Sequence, residues 1–362
     1  MKLTIPSNAE KILQVLNENG YEAYVVGGCV RDSILDRNPN DWDITTSASP
    51  YQVKELFPRT IDTGLQHGTV TVMMDKEGYE ITTYRVDGDY EDGRHPKEVT
   101  FTSSLEEDLK RRDFTINAMA YHPKEGLVDL FHGMDDMKNK IIRCVGDPME
   151  RFHEDALRIM RAVRFSAQLG FEIEEQTKAG ISRLTSNLKN VSAERIQAEL
   201  VKLLVSPHPD YLRAAYETGI TKEFLPEFDL CMETEQNTPY HCFTVGEHIL
   251  HSLLYVEADK VLRLTMLLHD IAKPVMKTTD ENGRDHFKRH AAVGEEMSKK
   301  ILRRLKFDND TIEKVSRLIR YHDDRPEGQM RAVRRAMNRI GEELFPLYLL
   351  SLIHISEPTR HL

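Results

Sequence analysis

Hydrophobic and polar positions follow two different rhythms along this chain, and the change of rhythm divides it. Through residue 147, short apolar runs are mixed with helical patterns. Ala23 to Val26, Thr69 to Met74 and Glu80 to Tyr84 read as strands, because their branched and aromatic side chains suit a pleated, half-buried surface. The first twenty residues place Ile12, Leu13 and Leu16 on one helical face. They also offer Ser7-x-x-Glu10 as a capping box and Asn19-Gly20 as a stop, which predicts an amphipathic helix rather than a secretion signal. From Asp147-Pro148 onward strand signals nearly vanish, and Pro148 marks the change because the residue before a proline is biased away from helix. A helix carrying Asp155 and Arg158 follows, then a break at Gly170 and a helix from Ala193 to Leu204, with Pro207-His208-Pro209 as punctuation. Beyond Leu230 another helical block carries His248, His269, Asp270, His290 and His322. The predicted class is therefore α+β, with a mixed head over 1–147, an all-helical neck over 148–230 and a helical body over 231–349.

Composition changes this picture in three places. A hydrophobic content of 40% over 362 residues supports two or three packed domains. No apolar run reaches membrane-spanning length. The four cysteines, Cys29, Cys144, Cys231 and Cys242, form no Cys-x-x-Cys pair, so neither a disulfide framework nor a thiolate zinc site is expected, and a reducing cytoplasm is. The net charge of -10 opposes RNA binding only if it is read globally. Between Lys299 and Arg335 there are twelve Lys/Arg against six Asp/Glu, a basic sector that either tracks a phosphate backbone or forms a solvated face laced with ion pairs. The last stretch stands apart. Leu350 to Arg360 back-translates, codon by codon, into a transposon-type sequencing adapter, so residues 350–362 are expected to be adapter-derived and the genuine frame to break off near Leu349.

The first chemistry-bearing motif is Gly27-Gly28-Cys29-Val30-Arg31-Asp32. After the apolar run Glu22 to Val26, the glycine pair lets the backbone turn tightly and approach a ligand before a helix starts over Val30 to Leu35. That leaves bare amides near a helix N-terminus, which suits a triphosphate. Asp41-Trp42-Asp43 follows at short range. Read as part of the next strand, it sends both carboxylates to one side, where they can hold two Mg²⁺ ions.

Together with Arg111-Arg112-Asp113-Phe114-Thr115-Ile116-Asn117-Ala118, these motifs resemble the nucleotidyltransferases of the DNA polymerase beta superfamily. The resemblance runs from about Tyr24 to Leu204. It narrows, through Glu154 to Phe165 and Glu194 to Leu200, to the bacterial class II tRNA nucleotidyltransferases, which are the CCA-adding enzymes and their poly(A) polymerase relatives. It implies a polymerase-beta-like head, a nucleotide-selecting and RNA-binding neck, and addition of C, C and A to tRNA 3′ ends from CTP and ATP, with no membrane and no protein partner inferred. By this resemblance Asp41 and Asp43 are catalytic and bind Mg²⁺, with Glu80 as a candidate third carboxylate. Gly28, Arg31 and Arg112 would hold the triphosphate, guanidinium forks suiting phosphate better than ammonium. Asp155 and Arg158, read as sharing a helix face at i and i+3, would accept from the exocyclic amine and donate to the ring nitrogen that cytosine and adenine share, leaving uracil and guanine unpaired. Arg161 and Arg164 would contact the nucleotide or order Arg158. The segment Gly64 to Val70 and the charged loop Asp87 to Pro96 are similar to the CCA-adding type. Poly(A) addition, or partial addition of A alone or CC alone, is the alternative within the family. A C-terminal tail domain that grips the far part of tRNA would be missing here.

The body between Tyr240 and Asp324 resembles an HD phosphohydrolase domain, on Gly246-Glu247-His248-Ile249-Leu250, Leu267-Leu268-His269-Asp270-Ile271-Ala272-Lys273 and Tyr321-His322-Asp323-Asp324. It implies an HD-type fold with a second divalent metal on His248, His269, Asp270 and Asp323, or Asp324 in its place. A degenerate HD fold serving only as a tRNA platform is the alternative. Two other classes compete for the whole chain: an HD metal phosphohydrolase with the head as an RNA-binding accessory, and a non-catalytic RNA-binding protein. The presence of both Asp41 and Asp43 argues against a dead head in either.

Overall fold

A computed structural model describes residues 2–87, 99–237, 243–324 and 330–356. They gather into two compact units, Met1–Arg158 with Glu172–Gly180, and Ile159–Phe171 with Ile181–Leu362. By packing, the residues read as the neck are shared between these units. From residue 88 onward, the charged loop Asp87 to Pro96 lies outside the described residues, as does Cys242.

The first unit is built on a seven-stranded mixed sheet. Its strands are β1 (Ala23–Val26), β2 (Ile44–Thr46), β3 (Thr60–Gly64), β4 (Thr69–Met74) and β5 (Glu77–Thr83), in the order β3-β4-β5-β2-β1, continued by Met119–His122 and Gly126–Asp129. All pairs are antiparallel except β2 with β5. β1 lies inside the sheet and all four of its residues are buried, as a continuous apolar run requires. β5 alternates instead: Tyr79, Ile81 and Thr83 are buried while Glu80 is exposed. Tyr24, Val26, Tyr84, Leu109 and Ala120 form one core cluster, closed by Leu105, Val128 and Phe131.

The N-terminal helix Ser7–Glu18 buries Ala9, Ile12, Leu13 and Leu16, and it stops at Asn19 with Gly20 at φ +85°, as its sequence predicts. Its cap differs from the prediction. Pro6 is the N-cap and its carbonyl accepts from Glu10 N at 3.0 Å. Ser7 therefore lies inside the first turn and makes no side-chain cap. A capping box forms elsewhere, where Ser49 Oγ accepts from Gln52 N at 3.4 Å and Ser49 N donates to Gln52 Oε1 at 2.8 Å.

The second unit is helical. Its helices include Ala193–Leu204, Val245–Leu254, Lys260–Leu268, His290–Arg304 and Asn309–Tyr321. Leu262 through Leu268 are all buried, so the apolar run before His269 is a core helix. The helix Asn309–Tyr321 starts on Asp308, which accepts from Thr311 N at 2.8 Å and Thr311 Oγ1 at 2.7 Å. A helix over Phe345–Ser356 runs through residue 350, with Tyr348 and Ser351 buried. Among the described residues, no helix is long and apolar enough to cross a membrane.

Close approach of helices sets one glycine in this unit. A Cβ on Gly246 would lie 2.6 Å from both N and Cα of Met232, backbone that cannot swing away. Gly246→Ala is therefore expected to cost about 1–3 kcal/mol through overpacking. Thermal unfolding checks this, and an unchanged melting temperature would contradict it.

Candidate active sites

In the first unit, Gly27 at the end of β1 makes the predicted turn, but the helix begins at Gly28 rather than Val30, because only Gly27 takes the positive φ. Gly27 has φ +80°, donates its N–H to Met119 O at 3.1 Å, and precedes the helix Gly28–Ile34. Two guanidiniums crowd this turn. A Cβ on Gly27 would meet Arg112 Nη1 at 3.0 Å, and one on Gly28 would meet Arg31 Nη2 at 3.7 Å. The missing side chains thus let two positive charges approach the backbone, which is what a cradle for an anionic ligand requires.

Each arginine is held from behind. Arg31 is buried, bonds Asp32 through Nε at 2.8 Å and donates from Nη1 to Asn117 Oδ1 at 2.6 Å. Asn117 Nδ2 in turn donates to Asp113 Oδ1 at 3.0 Å. Arg112 Nη2 reaches Asp108 Oδ2 at 3.4 Å, Arg111 reaches Asp108 Oδ1 at 2.8 Å, and Thr45 Oγ1 of β2 donates to Oδ2 at 3.1 Å. Asp108 is fully buried. Burial alone would raise its carboxyl, but the Arg111 and Arg112 guanidiniums, with hydrogen bonds from Arg111 and Thr45, hold it below the ordinary carboxylate range.

Asp41 and Asp43 lie just ahead of β2 rather than within it, a correction to the sequence reading. Val26 N donates to Asp43 O at 3.0 Å, so the backbone here stays tied to β1. As whole residues Asp41 and Asp43 are exposed and Trp42 between them is half-buried, although the Asp43 carboxyl itself is turned into surroundings that desolvate it. The parallel register pairs Ile44 with Ile81, which sets Asp43 alongside Glu80. The Asp43 carboxyl is held above its ordinary range, first by desolvation and then by the like charges of Glu80 and Asp41, against the pull of Arg112. Among the described residues, Asp41, Asp43 and Glu80 are not gathered as a three-ligand group, but Asp43 with these like charges and Arg112 near it suits a hard divalent cation and a phosphate together.

Asp155 departs from the prediction. It sits in extended backbone between the helices Pro148–Glu154 and Leu157–Leu169, where Oδ1 accepts from Leu157 N at 3.0 Å. It is therefore a helix-start residue, and it does not share a helix face with Arg158 at i and i+3. Arg158 bonds Glu154 Oε2 at 2.6 Å and the carbonyls of Arg151 at 3.1 Å and Arg111 at 3.0 Å. Arg161 and Arg164 belong to the second unit. Arg161 lies over the Phe165 ring at 5.4 Å. Arg164 is buried, bonds Glu199 Oε2 at 2.7 Å, and lies over the Phe165 ring at 3.5 Å, so its guanidinium is committed to packing.

In the second unit, His248, His269 and Asp270 converge as predicted, and all three are buried. His290 and His322 join Asp270 in a further group, which the sequence reading did not assign as ligands. Asp323 comes 3.3 Å from His290 Nε2 and 3.5 Å from His322 Nε2. Asp324 accepts instead, at its carbonyl, from the Tyr348 hydroxyl. Glu247 is paired with Arg213. The basic sector is partly self-neutralised: Lys299 pairs with Glu295 and Glu296, Arg304 with Glu227, Lys314 with Asp310 and Arg317 with Glu313.

Asp108 and Asn117 carry the first site and were not singled out from sequence. For Asp108 a signal existed, since it precedes the arginine pair by three and four residues, the spacing of neighbours on a helix.

Residues 23–143 match the family model described as the poly A polymerase head domain, 170–232 the probable RNA- and SrmB-binding site of polymerase A, and 239–351 the HD domain. The chain is 54% identical over 220 residues to a CCA-adding enzyme of Lactobacillus helveticus, which is 61% of this chain and 55% of that protein. It is 52% identical over 209 residues to one of Enterococcus faecalis, 57% of this chain and 52% of that one. The matches thus span about half the length of these curated relatives. The crystal structure of the Bacillus stearothermophilus CCA-adding enzyme in complex with CTP superposes with a TM-score of 0.72 at 32% identity, covering 95% of this chain and 76% of that one.

The Asp108 pairing generates a stability prediction. Because its carboxyl is held low in the folded state, it adds stability that is full above the ordinary carboxylate range and is lost as pH falls through the folded value. Asp108→Asn should cost about 1–3 kcal/mol near pH 7 by leaving buried donors unpaired. Urea unfolding should show this gap constant from pH 7 down to about pH 5 and narrowing only below about pH 4, and a gap that does not change at low pH would contradict the assignment.

Proposed function

The chain belongs to the CCA-adding enzymes, and on that premise we propose that it adds C, C and A to tRNA 3′ ends from CTP and ATP in the head. The observation that supports the reading is the Asp43 carboxyl, which feels the like charges of Glu80 and Asp41 and the pull of Arg112, the guanidinium that crowds the Gly27 turn. Mg²⁺ ions on Asp41 and Asp43 would neutralise charge on the reacting phosphate and lower the pKa of the RNA 3′-hydroxyl. The oxygen-only donor set and the like charge around Asp43 fit hard cations.

Arg31 and Arg112 bind the triphosphate oxygens, each steadied by the carboxylate or amide behind it. The 3′-oxygen attacks the α-phosphorus, and pyrophosphate leaves while held by these guanidiniums. Asp155 and Arg158 read the base edge, the carboxylate accepting the exocyclic amine and the guanidinium donating to the ring nitrogen. Arg158 is steadied for this by the Arg111 and Arg151 carbonyls. Arg161 and Arg164 both lie over the Phe165 ring in the other unit, where Arg164 is buried on Glu199. The names of the relatives favour CCA addition over poly(A) addition. Its substrates, tRNA and nucleoside triphosphates, put the reaction in the cytoplasm.

Asp41→Ala or Asp43→Ala should lower nucleotide addition by ~10³-fold or more, since several kcal/mol of transition-state stabilisation is lost. RNA binding should stay nearly intact, and substantial turnover by either variant in Mg²⁺ would overturn the assignment. Asp155→Ala should lose preference for CTP and ATP over UTP and GTP more than it loses triphosphate binding. Incorporation of all four nucleotides measures this, and unchanged selectivity would reduce Asp155 to a helix cap.

A further inference from the structure

Two arginines with different tasks in the head, Arg112 at the glycine turn and Arg158 beside Asp155, trace back to one carboxylate. Asp108 belongs to the helix Leu105–Lys110, which starts on Ser104 and leaves Glu106 and Glu107 exposed. Asp108 turns inward instead, and its side chain is fully buried. Oδ1 accepts from Arg111 Nε at 3.0 Å and Nη2 at 2.8 Å, while Oδ2 accepts from Arg112 Nη2 at 3.4 Å and Thr45 Oγ1 at 3.1 Å. We propose that Asp108 is a positioning residue which, through Arg112 on one side and Arg111 on the other, fixes the triphosphate grip and the base reader to one another. The proposal rests on the reading of the head as a site for CTP and ATP.

The arm towards the base reader runs through backbone. The helix ends at Arg111, and carbonyls at a helix end lack intrahelical partners. Arg158 Nη2 donates to the Arg111 carbonyl at 3.0 Å, and Arg151 Nη1 donates to the Lys110 carbonyl at 3.4 Å. Arg158 Nη1 donates in turn to the Arg151 carbonyl at 3.1 Å, so both supports of Arg158 lead back to the end of this one helix. The Arg111 side chain is only 16% exposed and spends two N–H groups on Asp108 Oδ1. In the arginine pair, Arg111 is therefore the anchor and Arg112 the member that faces a ligand.

Arg112 is held more loosely. Its bond to Oδ2, at 3.4 Å, is long for a charged pair. Its Nε is buried with no hydrogen-bond partner among the described residues, and its Nη1 lies against the Gly27 turn. Donors left over in this way suit an incoming phosphate oxygen. An amide at position 108 could not replace the carboxylate. It offers one acceptor oxygen and an NH₂ group that faces another donor whichever way it lies, so Asp108→Asn must release either Arg111 or Arg112.

The test measures CTP and UTP binding to the full chain by calorimetry in Mg²⁺, alongside KM and kcat for nucleotide addition. Asp108→Asn should weaken CTP binding about tenfold and lower the preference for CTP over UTP by a similar factor, with KM rising more than kcat falls. Arg111→Lys keeps the charge but removes the two-nitrogen fork. It should lower the preference while CTP binding changes less, because Arg112 keeps Oδ2. A purely structural role would reduce the folded fraction seen by circular dichroism and lower kcat while KM and the preference stayed unchanged, and that result would overturn the proposal. If Asp108→Asn does not fold, Arg111→Lys decides, and an unchanged preference in that variant contradicts the coupling. No preference for CTP in the unsubstituted chain would instead overturn the reading of the head, so the two failures are distinguishable.

Discussion

The parallel pairing of β2 with β5, in which Ile44 lies opposite Ile81, carries Asp43 alongside Glu80 and decides where the head concentrates negative charge. A slip of one residue would turn the alternating side chains of β5 over and send Glu80 into the core. The register is protected because Tyr79, Ile81 and Thr83 are buried on the other face. Thr45 of the same β2 strand reaches back to Asp108, which grips Arg111 and Arg112. One short strand therefore organises both the acidic edge and the cationic cradle beside it, and burial of Asp108 is tolerable because its charge is compensated on all sides.

The local features of the head were legible in the sequence. Apolar runs gave the strands, and Gly27 with φ +80° is a turn that a side chain would strain. What was not legible depends on residues far apart in the chain. Periodicity alone leaves Glu80 an exposed strand glutamate, and only the family resemblance singled it out before β5 lay beside β2; His290 joins His322 only when their helices pack. Two spacing rules misled where the helix began elsewhere than assumed. Pro6 moved Ser7 into the first turn, and the bend at Asp155 turned an apparent i, i+3 pair into a helix cap and its neighbour. At Asp155 capping chemistry prevailed over periodicity, because an unpaired N–H at a helix start costs more than a surface pair contributes; at Pro6 the helix simply begins one residue earlier, with no side-chain cap.

The two units carry opposite donor chemistry. The head gathers carboxylate oxygens near solvent, suited to ions that keep water and bind phosphate. The helical unit gathers buried imidazoles around one carboxylate, suited to ions held by nitrogen.

We propose that the head transfers C, C and A in order to tRNA. The most direct measurement incubates the purified chain with tRNA transcripts ending before, within and after CCA, supplying each labelled nucleotide separately. C should be added to transcripts that lack either cytidine, A only to transcripts ending in CC, and nothing to a completed end or from UTP or GTP. Repeated addition of A to any RNA end, or no incorporation into any transcript, would contradict it.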